Sequence, residues 1–351
     1  MSKAFVCLFA LCAVGTVSGL SAAAQPGANI YVLEKTVPLP GEGGWDYVTV
    51  DSDARRIYIS HGTQVLLLDA DSFAVVGSIS DTQGVHGIAI ASDLGRGFTS
   101  NGRANTVTIF DLKTLQTIGT VKTGENPDAI AYDKIYKRVF TFNGKSQDAT
   151  AINAADGTVA GTLPLGGKPE FAAVDGRGKI FVNIESTSEL VELDANTIKI
   201  LHRWPLKPCE SPSGLSMDQK NRRLFVGCEN KMMAVVNADT GAVVATPAIG
   251  AGVDATAYDP LRERAFSSNG EGTLTIVQQN VIPERYEVLD NSATKRSART
   301  MGLDLKTERI VLPAADFLPP KEGERRGQMK PGSFVLLVMK MSALREVRII
   351  R

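Results

Sequence analysis

Seven side chains of mixed chemistry recur at nearly even intervals along this 351-residue chain: Asp46, His86, Asp128, Glu170, Ser213, Asp254 and Arg299. Four are carboxylates, joined by one imidazole, one hydroxyl and one guanidinium. If a fold gathers them, the oxygen donors suit a hard cation such as calcium. With His86 added, the set would suit zinc or another transition metal. Crowded carboxylates also raise one another's pKa, which favours a cation or a cationic ligand. A second set, His61, Asn101, Asn143, Ile184, Cys228, Asn269 and Ala314, recurs with the same rhythm. The plainer alternative for any one residue is that it caps a strand end and hydrogen-bonds a loop amide, as Asp and Asn do in turns.

The elements that must position these residues form a repeat. Each member of the first set stands five residues before Asp51, Ala91, Asp133, Asp175, Asp218, Asp259 or Asp304, positions spaced by 40, 42, 42, 43, 41 and 45 residues. Compare Tyr47-Val48-Thr49-Val50-Asp51, Ala129-Ile130-Ala131-Tyr132-Asp133 and Ala255-Thr256-Ala257-Tyr258-Asp259. Each unit splits into four short segments of alternating polarity, rich in Val, Ile, Thr and Phe and divided by turn residues. In the second unit these are Gly87–Ala91, Gly97–Ser100, Thr106–Asp111 and Gln116–Lys122. That pattern reads as short antiparallel strands, and apolar stripes of helical period are missing, so helices should be few. The expectation is an all-β chain, a seven-bladed β-propeller of four-stranded antiparallel blades over residues 30–351. Packing blade against blade divides one large core into seven interfaces and hides most strand edges.

Closure of the ring is assigned to an N-terminal strand, Ile30–Leu39, beside the last blade, whose own strands are Thr300–Asp304, Arg309–Leu312 and Ser333–Met339. Glu346–Ile350 is the alternative. Two stretches break the rhythm: Gln278–Ala298 lengthens the sixth unit, and Pro319–Gly332 inserts a Pro-rich, charged loop into the seventh. The basic pair Arg325-Arg326 in that loop reads as a solvated tip. The recurring Asp before each turn is a structural residue. Asn101-Gly102, Asn143-Gly144 and Asn269-Gly270 read as turns that exploit glycine's access to positive φ.

The second strand of several units follows a basic–x–aromatic–x–x–Asn pattern: Arg96-Gly97-Phe98-Thr99-Ser100-Asn101, Arg138-Val139-Phe140-Thr141-Phe142-Asn143 and Arg264-Ala265-Phe266-Ser267-Ser268-Asn269. This resembles the YVTN-type β-propeller repeat family of exported bacterial seven-bladed propellers, over nearly all of Ile30–Met339. Ile184, Cys228 and Ala314 depart from the Asn position. The resemblance implies a periplasmic or surface location and a binding or scaffolding role, and implies no shared reaction.

The chain's beginning agrees with export. Met1–Ala24 reads as a signal peptide: Lys3 is the basic start, Ala4–Val17 is almost wholly apolar, and Ala22-Ala23-Ala24 precedes Gln25 as a cleavage site. An uncleaved anchor is the alternative, although the apolar run falls short of the roughly 20 residues a span needs. No later segment is apolar for long enough to cross a bilayer. Cleavage leaves two cysteines, Cys209 and Cys228, flanking a hairpin, and an even pair in an oxidising compartment reads as a disulfide. Two free buried thiols are the alternative.

The 38 basic residues balance 38 acidic ones. A neutral total argues against nucleic-acid binding, which is dominated by basic charge. The motifs G-x-S-x-G, H-E-x-x-H and C-x-x-C are absent, as is a phosphate loop. Ser213, His86 and Asp128 could be named as a catalytic triad, but seven-fold placement sets Ser213 about three blades from His86. A quinone-dependent dehydrogenase is disfavoured by the presence of only Trp45 and Trp204 and no vicinal Cys pair. Both residue sets should share one face, because the innermost strand leaves it and the second strand returns.

The reading is therefore a periplasmic or secreted monomer that binds a small molecule, a peptide or an envelope protein. Its ligand site is a polar funnel of Asp46, His61, His86, Asn101, Asp128, Asn143, Glu170, Asp254, Asn269 and Arg299. The alternative is a calcium-dependent, lactonase-type hydrolase with Glu170, Asn101, Asn143 and Asp254 as metal ligands.

Overall fold

The fold follows from strands whose burial is graded outward from an axis. Second strands such as Arg138–Asn143 are buried at almost every position, because blades cover both of their faces. Outer strands such as Thr117–Lys122 are mostly exposed. A computed structural model describes residues 1, 30–41, 43–320 and 327–342. It shows seven four-stranded antiparallel sheets arranged as blades of a ring, with only two single-turn 3-10 segments, Ser92–Leu94 and Glu185–Thr187. The expected signal peptide, Arg325-Arg326 and Glu346–Ile350 lie outside the described residues. Among those described, no helix is long and apolar enough to cross a membrane.

Blade 1 comprises Trp45–Asp51, Arg56–His61, Gln64–Asp69 and Val75–Ile79, from the axis outward. The inner strands of blades 2 to 7 are Val85–Ala91, Pro127–Asp133, Pro169–Val174, Pro212–Asp218, Val253–Asp259 and Gly302–Asp304. The lengthened sixth unit is a long hairpin, Thr273–Val281 with Glu284–Ala293, that extends the two outer strands of its blade.

The N-terminal strand closes the ring. Tyr31–Pro38 pairs antiparallel with Val335–Met341, from Tyr31 opposite Met341 to Pro38 opposite Val335, with one shift of register between Leu33 and Lys35. Residues from both ends of the chain thus share blade 7, which also leans on blade 6. The Tyr31 ring is fully buried and meets Phe266 edge-on at 5.5 Å, while its hydroxyl donates to the Glu308 carbonyl at 3.1 Å.

The recurring Asp does two structural jobs. It accepts hydrogen bonds from turn amides, as when Asp218 Oδ1 receives the amides of Lys220 and Asn221. It also pins the neighbouring blade: Arg55 of blade 1 donates to both Asp304 oxygens at 2.8 Å, Arg222 reaches Asp175 at 3.1 Å, and the Tyr258 hydroxyl reaches Asp218 at 3.1 Å. Cys209 and Cys228 form a disulfide that ties the entry of blade 5 to the end of its second strand.

Tyr31→Ala should cost about 3–5 kcal/mol, the range for emptying a buried aromatic site. Denaturant unfolding reads this directly. A loss below about 1 kcal/mol would mean that the N-terminal strand does not hold the ring shut.

Candidate functional site

In blades 1 to 6 the inner strand pairs at its first residue, then loses register before the ladder resumes: between Trp45 and Val48, Val85 and Ile88, Pro127 and Ile130, Pro169 and Ala172, Pro212 and Leu215, and Val253 and Ala255. The break contains the residue of the first set each time. Bulges of this kind re-aim side chains and release backbone groups from pairing.

Buried polar residues on the second strand take up those released groups. Ser60 Oγ accepts from the Asp46 amide at 3.1 Å and donates to the Tyr47 carbonyl at 3.2 Å. Ser100 accepts from the Gly87 amide at 2.8 Å and donates across to the Asp128 carbonyl of the next blade. Asn183 bonds the Ser213 carbonyl at 2.7 Å, and Ser268 the Arg299 carbonyl at 2.6 Å. Ser100, Asn183 and Ser268 thereby hold the backbone of the next blade's site residue, while Ser60 holds that of its own. Glycine is required where bulges touch: a Cβ on Gly214 would lie 2.6 Å from the Thr256 backbone nitrogen.

Six of the first set join through direct contacts around the channel mouth. His86 Nδ1 lies 2.6 Å from Asp46 Oδ2 and 3.8 Å from Asp128 Oδ1. Arg299 reaches Asp46 Oδ1 at 3.6 Å and forms a close ion pair with Asp254. The Ser213 hydroxyl donates to Asp254 Oδ1 at 3.1 Å, so it is engaged away from His86 and no triad forms. Glu170, the seventh, is partly buried and held by Lys168 at 3.0 Å, with Glu185 on the same ammonium.

The electrostatics follow from this crowding. Burial would lower the His86 pKa, but the hydrogen bond to Asp46 and the charges of Asp128, Asp46 and Glu170 outweigh it and lift it to about 9. Burial, then the Asp46 charge, push Asp128 well above the usual carboxylate range. Burial also raises Glu170 despite the opposing charge of Lys168.

An aromatic floor lies beneath. Tyr47 of blade 1 and Phe171 of blade 4 meet across the axis with ring centroids 4.7 Å apart. Burial raises the Tyr47 hydroxyl pKa far above its ordinary value, helped by the Asp128, Glu170 and Asp46 charges. Both rings line a channel cavity of about 310 Å³ that continues past Val50 and Ile130 to Leu305.

The second set does not join the mouth. Asn101, Asn143 and Asn269 are fully buried at strand ends, and each turns its amide into its own blade. Asn101 Nδ2 donates to Thr108 at 2.8 Å, Asn143 to Thr150 at 3.0 Å and Asn269 to Thr275 at 2.9 Å. His61 is buried against Phe334, ring centroids 4.5 Å apart, with Nε2 unpartnered among the described residues. The expected calcium ligand set of Glu170, Asn101, Asn143 and Asp254 is therefore not assembled. The Asn-Gly glycines also differ from expectation. Positive φ falls instead at Gly84, Asn126 and Gly252, whose carbonyls accept from the amides of Gly102, Gly144 and Gly270 at 2.8 Å. Gly102 is needed for space, since a Cβ there would lie 2.7 Å from His86 Nε2.

Lys168, Glu185, the floor pair and the anchoring Ser60, Ser100, Asn183 and Ser268 went unread in the sequence. The floor did leave a signal. The residue after each first-set member is Tyr47, Gly87, Ala129, Phe171, Gly214, Ala255 or Thr300, two aromatics among small residues.

The chain is a seven-bladed β-propeller. Three solved structures share its form. Kuenenia stuttgartiensis hydrazine synthase aligns with a TM-score of 0.68 at 13% identity, covering 78% of this chain and 93% of that one. U3-55K aligns at 0.73 and 10% identity, covering 87% and 98%. The RRP9 WD40 repeats align at 0.74 and 9% identity, covering 87% and 97%. At these identities the likeness shows the fold alone. No family model and no curated protein matches the chain, so the YVTN-type resemblance stands on the strand motif.

His61 sets up a pH test. Burial lowers its pKa below the ordinary histidine value, with the Gly43 backbone opposing weakly. The unfolded chain therefore takes up the proton first. Stability from the neutral imidazole is present above about pH 6.5 and is lost as pH falls through the lower folded value. His61→Phe should flatten the acid limb of a melting-temperature profile. An unchanged limb would assign that limb to other groups.

Proposed function

We propose that this propeller is an exported binding module that takes a polar small molecule, or a peptide segment of an envelope protein, into the mouth formed by Asp46, His86, Asp128, Glu170, Ser213, Asp254 and Arg299. One observation carries the reading. Seven blades present five different polar side-chain types to one mouth, and the Tyr47–Phe171 pair narrows the axis beneath it. Structural capping alone would be served by one residue type throughout, as the Asp that recurs in six of the seven units shows. A concave site with a few convergent polar groups, perturbed carboxylates and an apolar base is the usual form of a ligand pocket.

A periplasmic or secreted setting is part of the proposal. It is supported by the signal-like start of the chain, the YVTN-type strands and the Cys209–Cys228 disulfide, a bond that persists in oxidising compartments. Hydrolysis gains nothing from the geometry. The one aliphatic hydroxyl among the seven mouth residues, Ser213, is bonded to Asp254, and the Asn ligands that a calcium-dependent mechanism would draw on face their own blades.

A thermal-shift screen of the chain lacking residues 1–24, against polar small molecules and peptides, tests this reading. Hits should lose their shift in Glu170→Gln and Arg299→Gln, each shift being read against that variant's own ligand-free melting temperature. Shifts that survive both substitutions would locate binding elsewhere and overturn the proposal.

A further inference from the structure

The structure assigns Asp46, His86 and Asp128 as a binding site for a divalent transition-metal ion of the zinc class, an inference that rests on reading the mouth as a ligand site and names its cationic component. One atom from each residue, an imidazole nitrogen and two carboxylate oxygens, lies within 4.8 Å of the other two. Zinc bonds of about 2.0–2.1 Å in tetrahedral geometry place ligand atoms roughly 3.3 Å apart. The measured 2.6 Å and 3.8 Å from His86 Nδ1 to the two carboxylates bracket that value, so small side-chain rotations suffice.

Asp128 supplies the independent observation. It is only 8% exposed, yet its carboxylate accepts no hydrogen bond among the described residues, and its nearest cationic group is His86 at 3.8 Å. The other carboxylates of the ring are answered. Asp46 is bonded to His86, Glu170 has Lys168, and Asp254 has Arg299 and the Ser213 hydroxyl. A carboxylate this enclosed, with no protein donor, keeps only its narrow access to solvent, and a cation seated beside His86 would satisfy it.

The donor set also selects the metal. One imidazole with two carboxylates suits zinc, manganese or ferrous iron, whereas calcium takes six to eight oxygens. The calcium set read from the sequence would need Asn101 and Asn143, and both are buried in their blades. Among the described residues the one other histidine–carboxylate pair, His202 with Glu192 at 2.6 Å, involves an outer strand, and Lys179 already neutralises Glu192.

Untagged, chelator-treated protein titrated with Co2+ and then Zn2+ tests the site, by calorimetry and by the visible absorption of bound cobalt. One equivalent of Co2+ should bind, be displaced by Zn2+ and resist millimolar Ca2+. Affinity should fall at least about tenfold in His86→Gln and Asp128→Asn. It should fall likewise in Gly102→Ala, whose new methyl intrudes on the His86 ring, and stay unchanged in His202→Gln. No stoichiometric binding by the unaltered protein, or binding that survives both His86→Gln and Asp128→Asn, overturns the assignment. The two readings fail separately. Stoichiometric cobalt binding without any organic or peptide ligand would sink the proposed function and keep the metal site. Ligand shifts insensitive to chelator, with no cobalt bound, would do the reverse.

Discussion

The interruption at the start of each inner strand is the constraint on which the mouth depends. A regular ladder would alternate side chains between the two faces of a blade, where they meet neighbouring blades. Breaking register after the first pair lets one residue per blade face the axis. The cost is a set of backbone groups with no ladder partner, and buried orphans of that kind are not tolerated. Ser60, Ser100, Asn183 and Ser268 meet this need from the second strand, three of them by reaching a carbonyl of the following blade. Local geometry and the coupling between blades are thus one feature.

Around the opposite ends of the inner strands the same economy recurs with charge. Asp304, Asp175 and Asp218, which would otherwise only cap turns, are buried and receive an arginine or tyrosine from the adjacent blade. At the mouth the repetition stops, and the side chains become dissimilar and only partly neutralised. Asp128 lies among them, with His86 as its nearest cationic group at 3.8 Å.

Much of this was legible in the sequence, and the reasons are physical. A repeat near forty residues, with Asp at its turn, reveals blade number because every blade solves the same packing problem. Counting back five residues from that Asp found the mouth residues because strand length is held constant. The same logic misread Asn101, Asn143 and Asn269. Their regularity reflects a hydrogen bond to Thr108, Thr150 and Thr275, a requirement internal to each blade and so repeated. Lys168 and Glu185 were hidden because they occur once, in loops of blade 4, where no periodicity flags them. The aromatic pair was hidden for another reason. Tyr47 and Phe171 come from blades three apart, and only the closed ring brings them face to face.

Joining the first strand to the last has a consequence for how the molecule comes into being. Six blades are each made from contiguous chain and can form as they emerge. The seventh waits for residues 335–341 before Tyr31–Pro38 has its partner strand. Such long-range pairing is slow to form. A chain cut short anywhere upstream would leave Ile30 and Tyr31 uncovered and a sheet edge open, a state that proteases and chaperones can distinguish from the finished product.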